Sequence, residues 1–164
     1  MIFKNRFLTG HAIILVILVS AAVVRSQDYE QRMSDYSEKF LAYSQVFVKF
    51  ASMNVNTDAT YAAALAVSDV AKEFHYHTSY LADFLLVMKI INKNEDERKL
   101  AARLLRLRVK NLIKECDNAF GRVDKAVIGI EFAGVTKTAS DVKEDLETLR
   151  RDLEAISDKY EKEG

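Results

Sequence analysis

The side chains with the clearest chemical potential lie near the middle of the chain, where Asp69, Glu73, His75 and His77 follow one another closely. In a helix Glu73 and His77 stand one turn apart on one side, with Asp69 a further turn back, so the three could share a metal ion. His75 is two residues from His77 and points to another face, so one ion would not take both imidazoles. A dinuclear carboxylate centre needs Glu-x-x-His pairs on two helices, and covalent haem needs Cys-x-x-Cys-His. The chain has neither. Non-covalent haem would have to use His77 with a methionine such as Met33 or Met53. The simpler expectation is a buried His77 satisfied by a tyrosine or carboxylate, with no cofactor assigned.

Nucleophilic chemistry finds little support. Cys116 is the only cysteine, so it forms no internal disulfide, and its place in an apolar repeat reads as a small buried hydrophobe. A Cys–His pair would need Cys116 beside His77 and a substrate cleft, of which the sequence shows no sign. There is no phosphate-binding glycine loop, Gly-x-Ser-x-Gly elbow or His-Glu-x-x-His. The expectation is a non-enzymatic protein.

The elements that would position these residues are helices. The chain has 164 residues, 49% of them hydrophobic, no proline and five glycines, which suits one domain built of long helices rather than tightly turned strands. A helical hairpin over roughly residues 58 to 133, folded at Asn92-Lys93-Asn94, organises the rest. Its first arm repeats Val67, Val70, Phe74, His77, Leu81, Phe84, Met88 and Ile91 in alternating threes and fours, the spacing of a coiled-coil-like seam. The second arm repeats Leu105, Val109, Leu112, Cys116, Ala119, Val123, Ala126, Ile130 and Ala133, and Gly134 then suits a helix-ending position. Asn94 with Glu97 forms a capping-box pattern at the turn.

Before the hairpin, a helix from about Asp28 to Met53 carries Tyr29, Met33, Tyr36, Phe40, Tyr43, Phe47 and Phe50 at the same spacing. Such an aromatic seam could line a ligand cavity but is more simply core. Asn54 can end that helix, and Asn56 or Thr57 can cap the next. A last helix, starting near Thr138 or Ser140, continues a seam of Val135, Ala139, Val142, Leu146, Leu149, Leu153, Ile156 and Tyr160. Short connections between four seam-bearing helices favour an all-α, antiparallel up-down-up-down bundle over residues 27–164.

Residues 1–26 read as an export leader. Lys4 and Arg6 form a positive start, Ala12 to Val24 is an apolar run, and Val24-Arg25-Ser26 places small residues at −3 and −1 of a cleavage point before Gln27. The alternative is an uncleaved membrane anchor, for which the span is marginal against ~30 Å of hydrocarbon. The protein is therefore expected to be periplasmic or secreted, or else membrane-anchored. Losing Lys4, Arg6 and Arg25 with the leader takes the net charge from zero to −3, which argues against nucleic-acid binding.

The hairpin tip draws a functional expectation. Its arms exceed the flanking helices by some 10 residues, or ~15 Å at 1.5 Å per residue. The overhang is apolar, with Phe84, Leu86, Val87 and Ile90 on one arm and Leu100, Leu104 and Leu107 on the other, beside Arg103, Arg106 and Lys110. From Arg98 to Lys114 the chain has Arg98, Lys99, Arg103, Arg106, Arg108, Lys110 and Lys114 and no acid. The plain expectation is that Asp152, Glu154 and Asp158 of the last helix neutralise them. The functional one is an interaction site for a second copy, a protein partner or an anionic membrane. The expected role is a binding or scaffolding module; the rival is a small-ligand, metal or haem carrier using the aromatic seam and His77.

Overall fold

With no proline to interrupt them, the apolar repeats run as four long helices: α1 (Arg6–Ala51), α2 (Asp58–Ile90), α3 (Glu95–Val127) and α4 (Ala133–Glu161). This computed structural model describes the backbone of residues 6–53, 57–90 and 94–161, and the side chains in those ranges from Tyr29 onward. Among the described residues there is no strand, and the fold is an all-α four-helix bundle. The side chains of the expected leader lie outside the described residues, as do Asn54, Asn56, Ile91 and, of the expected Asn92-Lys93-Asn94 turn, Asn92 and Lys93.

Caps define the hairpin's ends. Thr57 Oγ1 accepts from the Thr60 N–H at 3.2 Å and starts α2. The Asn94 side-chain oxygen accepts from the Asp96 N–H at 3.0 Å and starts α3, with Glu95, Asp96 and Glu97 at the positive end of the helix dipole.

Side-chain contacts between neighbouring helices run in opposite chain order. Ser37 meets His75 and Ser44 meets Ser68 across α1 and α2. Asp117 pairs with Arg150, and Asp124 with Lys143, across α3 and α4. Arg32 pairs with Asp152 and Lys39 with Asp145 across α1 and α4. The core is the seam side chains: Met33, Phe40 and Phe47 of α1, Leu105 to Val123 of α3 at the expected spacing, and Val135 to Ile156 of α4 are buried.

In α2 the seam differs from expectation. Phe74 and Leu81 are buried as expected, but Thr78 and Leu85 take the core positions, while His77, Phe84 and Met88 are only partly buried. Ala64, Ala71, Thr78 and Leu85 recur every seven residues and are all buried. These mostly small side chains let α1 approach closely, and the Thr78 hydroxyl is satisfied by the Phe74 carbonyl at 2.7 Å. His77 is thereby turned to the flank facing α3.

The second arm is also shorter than expected. It ends at Val127, and Gly129, with φ of 75°, makes the turn rather than Gly134. Ala126 and Ile130 still pack against the core but only partly buried, whereas Ala133 opens α4 and is exposed. Gly134 has a different role. A Cβ there would lie 3.1 Å from Phe132 Cε1 and 3.2 Å from the Phe50 ring, which meet edge to face at 5.5 Å.

The glycines give opposite expectations. Gly121 is exposed within α3 with nothing within 4 Å of an added Cβ, so Gly121→Ala should stabilise the fold by about 0.5–1 kcal/mol. Gly129→Ala forces a side chain into the left-handed region and should cost about 1–2 kcal/mol. Urea midpoints of the two variants test both signs.

Candidate functional site

The hairpin tip forms where α2 ends and α3 begins. Leu85 turns into the core, which leaves its neighbours Leu86 and Val87 and, further along, Ile90 facing solvent, the last 68% exposed. On α3, Leu100, Leu104 and Leu107 are 59%, 49% and 55% exposed. They follow i, i+4, i+7 spacing on the side opposite Ala102, Leu105 and Val109, so α3 has a second apolar stripe facing away from the bundle. Between the arms lies an open groove of about 440 Å³, lined by Phe84, Val87, Met88, Leu100, Ala101 and Leu104 with Glu97 at its edge. Arg106 pairs with Glu161, the last described residue of α4. The first three turns of α3 therefore extend beyond that residue by roughly 15 Å.

Cations flank the leucine stripe. Lys99 pairs with Glu95 on its own helix, and Arg108 donates to His77. Arg98, Arg103, Lys110 and Lys114 are exposed and have no carboxylate partner among the described residues. Of the α4 acids expected to neutralise this stretch, Asp152 holds Arg32 and Tyr36 and Glu154 holds Arg150, while Asp158 makes no ion pair among the described residues. A basic depression lined by Lys99, Leu100, Arg103 and Arg106 adjoins the apolar groove through Leu100.

The second constellation lies lower on the α2–α3 flank. His77 Nε2 stands 3.0 Å from Glu115 Oε2 and 3.7 Å from Glu73 Oε1. Arg108 donates to His77 Nδ1 at 3.0 Å, which places the ring proton on Nε2. Arg122 holds the other Glu73 oxygen at 2.6 Å. Of the metal candidates read from the sequence, Glu73 and His77 come together and Asp69 does not. Asp69 instead borders a shallow depression with Ala66, Arg122, Lys125 and Ala126. Glu115 takes its place. Its adjacency to the seam residue Cys116 could have signalled it, because the position beside a seam faces the neighbouring helix.

His75 faces the opposite neighbour, with Nδ1 at 2.8 Å from Ser37 Oγ. The ring nitrogens of His77 face charged side chains of α3, and Met33 is buried in the core. Burial, with Asp117 and Glu115 nearby, pushes the Cys116 thiol up to about 12, so it stays protonated and unreactive at neutral pH.

The aromatic seam is filled by its own rings: Phe40 packs against Phe74 at 5.7 Å and against Tyr36 and Tyr43. Where it meets α4, a unit repeats after seven residues. Asp152 accepts from Tyr36 at 3.0 Å and Arg32 at 2.9 Å, and Asp145 accepts from Tyr43 and Lys39, both at 2.8 Å. Burial first, then the adjacent carboxylate, pushes both phenols well above their ordinary value of 10. A phenol so raised keeps its proton in the folded state after the unfolded chain has lost it. The stability it supports is full below pH ~10 and is lost progressively above that. An alkaline titration should show two of the seven tyrosines yielding tyrosinate absorbance only as the helices melt.

Among the described residues no helix is long and apolar enough to cross a membrane. No family model, curated protein or solved structure matches the chain.

Proposed function

We propose that this protein is a non-enzymatic, exported or membrane-anchored binding module: an up-down-up-down bundle following a leader, which docks on an anionic membrane surface through its hairpin tip. The observation that carries this reading is the exposed Leu100–Leu104–Leu107 stripe, flanked by Arg103, Lys110 and Lys114, which have no carboxylate partner among the described residues. A helix with that division buries its leucines among acyl chains while its cations meet lipid phosphates. Each cation near an anionic leaflet contributes about 1 kcal/mol.

A second copy or another protein is the competing partner. Self-association through the stripe would bring Arg103, Lys110 and Lys114 of two chains toward one another, and like charges at an interface oppose docking. An anionic surface has no such conflict. It would also lie at the bundle end where Glu30 of α1 meets Lys89 of α2, so a retained leader and a docking tip would engage one bilayer together.

Co-sedimentation of the chain lacking residues 1–26 with vesicles tests the proposal. Binding should require anionic lipid, fail on purely zwitterionic vesicles and weaken steeply with salt. Indifference to lipid charge, or a protein that dimerises through the tip and ignores vesicles, would refute it.

A further inference from the structure

We infer that Glu73, His77 and Glu115 form a binding site for a divalent transition-metal ion across the α2–α3 contact. One ligand atom from each residue lies within 4.8 Å of the others. Ligands around a tetrahedral ion with bonds of about 2.0–2.1 Å stand roughly 3.3 Å apart. The His77–Glu115 and His77–Glu73 separations, 3.0 and 3.7 Å, fall on either side of that edge length.

A second observation concerns Glu115. Its Oε2 is shielded from solvent, although the side chain as a whole is 37% exposed, and accepts no hydrogen bond among the described residues. It lies close to His77 Nε2 but off the line along which that N–H would donate. Among the described residues no arginine or lysine pairs with Glu115; its nearest polar neighbour is His77, whose ring is neutral while Nδ1 accepts from Arg108. Glu73 differs, because Arg122 occupies one of its oxygens and leaves the other turned toward His77. Arg122 thus orients a ligand as an outer-shell partner does. One imidazole and two carboxylates suit Zn²⁺, which imposes no geometry of its own and would complete its coordination with water.

Arg108 sets the strength of the site. It donates to Nδ1, so the ring proton sits on Nε2, where the ion must bind. Coordination moves that proton to Nδ1, and an N–H then confronts a side chain that can only donate. Arg108, which is exposed, must swing away. The ion therefore competes with Arg108, and a residue able to accept from Nδ1–H would favour it.

Calorimetric titration of the metal-free, untagged chain with Zn²⁺ tests the assignment, with helicity followed in parallel. One equivalent should bind saturably. His77→Ala and the isosteric Glu115→Gln should each weaken binding by at least about 10-fold, with helical content retained. Arg108→Gln should tighten it several-fold, and His75→Ala, on the α1 face, should leave it unchanged. The inference fails if binding is not saturable, if it survives His77→Ala or Glu115→Gln at full strength, or if Arg108→Gln weakens it.

Discussion

Phe40→Ala should destabilise the bundle by about 3–5 kcal/mol, the range for emptying a buried aromatic site. Phe40 is fully buried and touches three rings at once, Tyr36, Tyr43 and Phe74, so its removal opens a void where α1 meets α2 and α4. Its neighbours cannot readily collapse into that space. Tyr36 and Tyr43 are held outward by hydroxyl bonds to Asp152 and Asp145, and Phe74 is anchored on α2. Since a domain's whole stability is about 5–15 kcal/mol, this substitution removes a large share of it. Urea unfolding should show a much lower midpoint at unchanged slope. Tyr36→Phe is the informative control. It keeps the ring and loses the bond to Asp152, which retains Arg32, so its cost should be near 1 kcal/mol. Equal losses in the two variants would mean that the polar clamp, rather than ring packing, holds α1 in place.

The parts of this fold that could be read in advance are those where one periodicity dominates. Every position of the α4 repeat from Val135 to Ile156 is buried, because that helix has a single apolar stripe and charged residues elsewhere. The aromatic repeat of α1 is nearly as clear: Met33, Tyr36, Phe40 and Phe47 are buried, and Tyr29, Tyr43 and Phe50 pack partly buried against the core. In α2 two stripes compete: Val70, His77 and Phe84 form one, and Ala64, Ala71, Thr78 and Leu85 form the other. Bulk and hydropathy favour the first, but close approach to α1 favours the small residues of the second, and tertiary packing decides. That rotation explains why His77 is on a flank instead of in the core, and why Glu115 rather than Asp69 joins it. Asp69 was placed by spacing along one helix; Glu115 comes from a different helix and follows only once the α2–α3 register is known. Gly134 reads as a helix end in the sequence, and Gly129 makes the turn instead, for a similar reason. Both follow an apolar stretch, and only the positive φ of one and the ring contacts of the other tell a turn glycine from a packing glycine.

The exposed leucines of the tip were legible because they break the rule that solvated helix faces are polar, and the largest functional effect expected here falls on them. Leu100→Glu and Leu104→Glu, singly, should each reduce affinity for anionic vesicles by more than about 10-fold. Each removes an apolar side chain worth about 1.5–3 kcal/mol when buried and adds a charge repelled by the leaflet. Together, or with Leu86→Glu on the facing arm, they should abolish binding. All three side chains are exposed, so the fold has little reason to respond: surface changes of this kind usually fall within about 0.5 kcal/mol. Arg103→Gln and Lys110→Gln should act differently. They should weaken binding by less and reduce its dependence on salt, because they remove the screened part of the attraction and leave the inserted part. Leucine variants that alter the salt dependence while sparing salt-resistant affinity would mean the stripe does not enter the bilayer. Leucine variants that bind as the parent does would remove the tip from the interaction altogether.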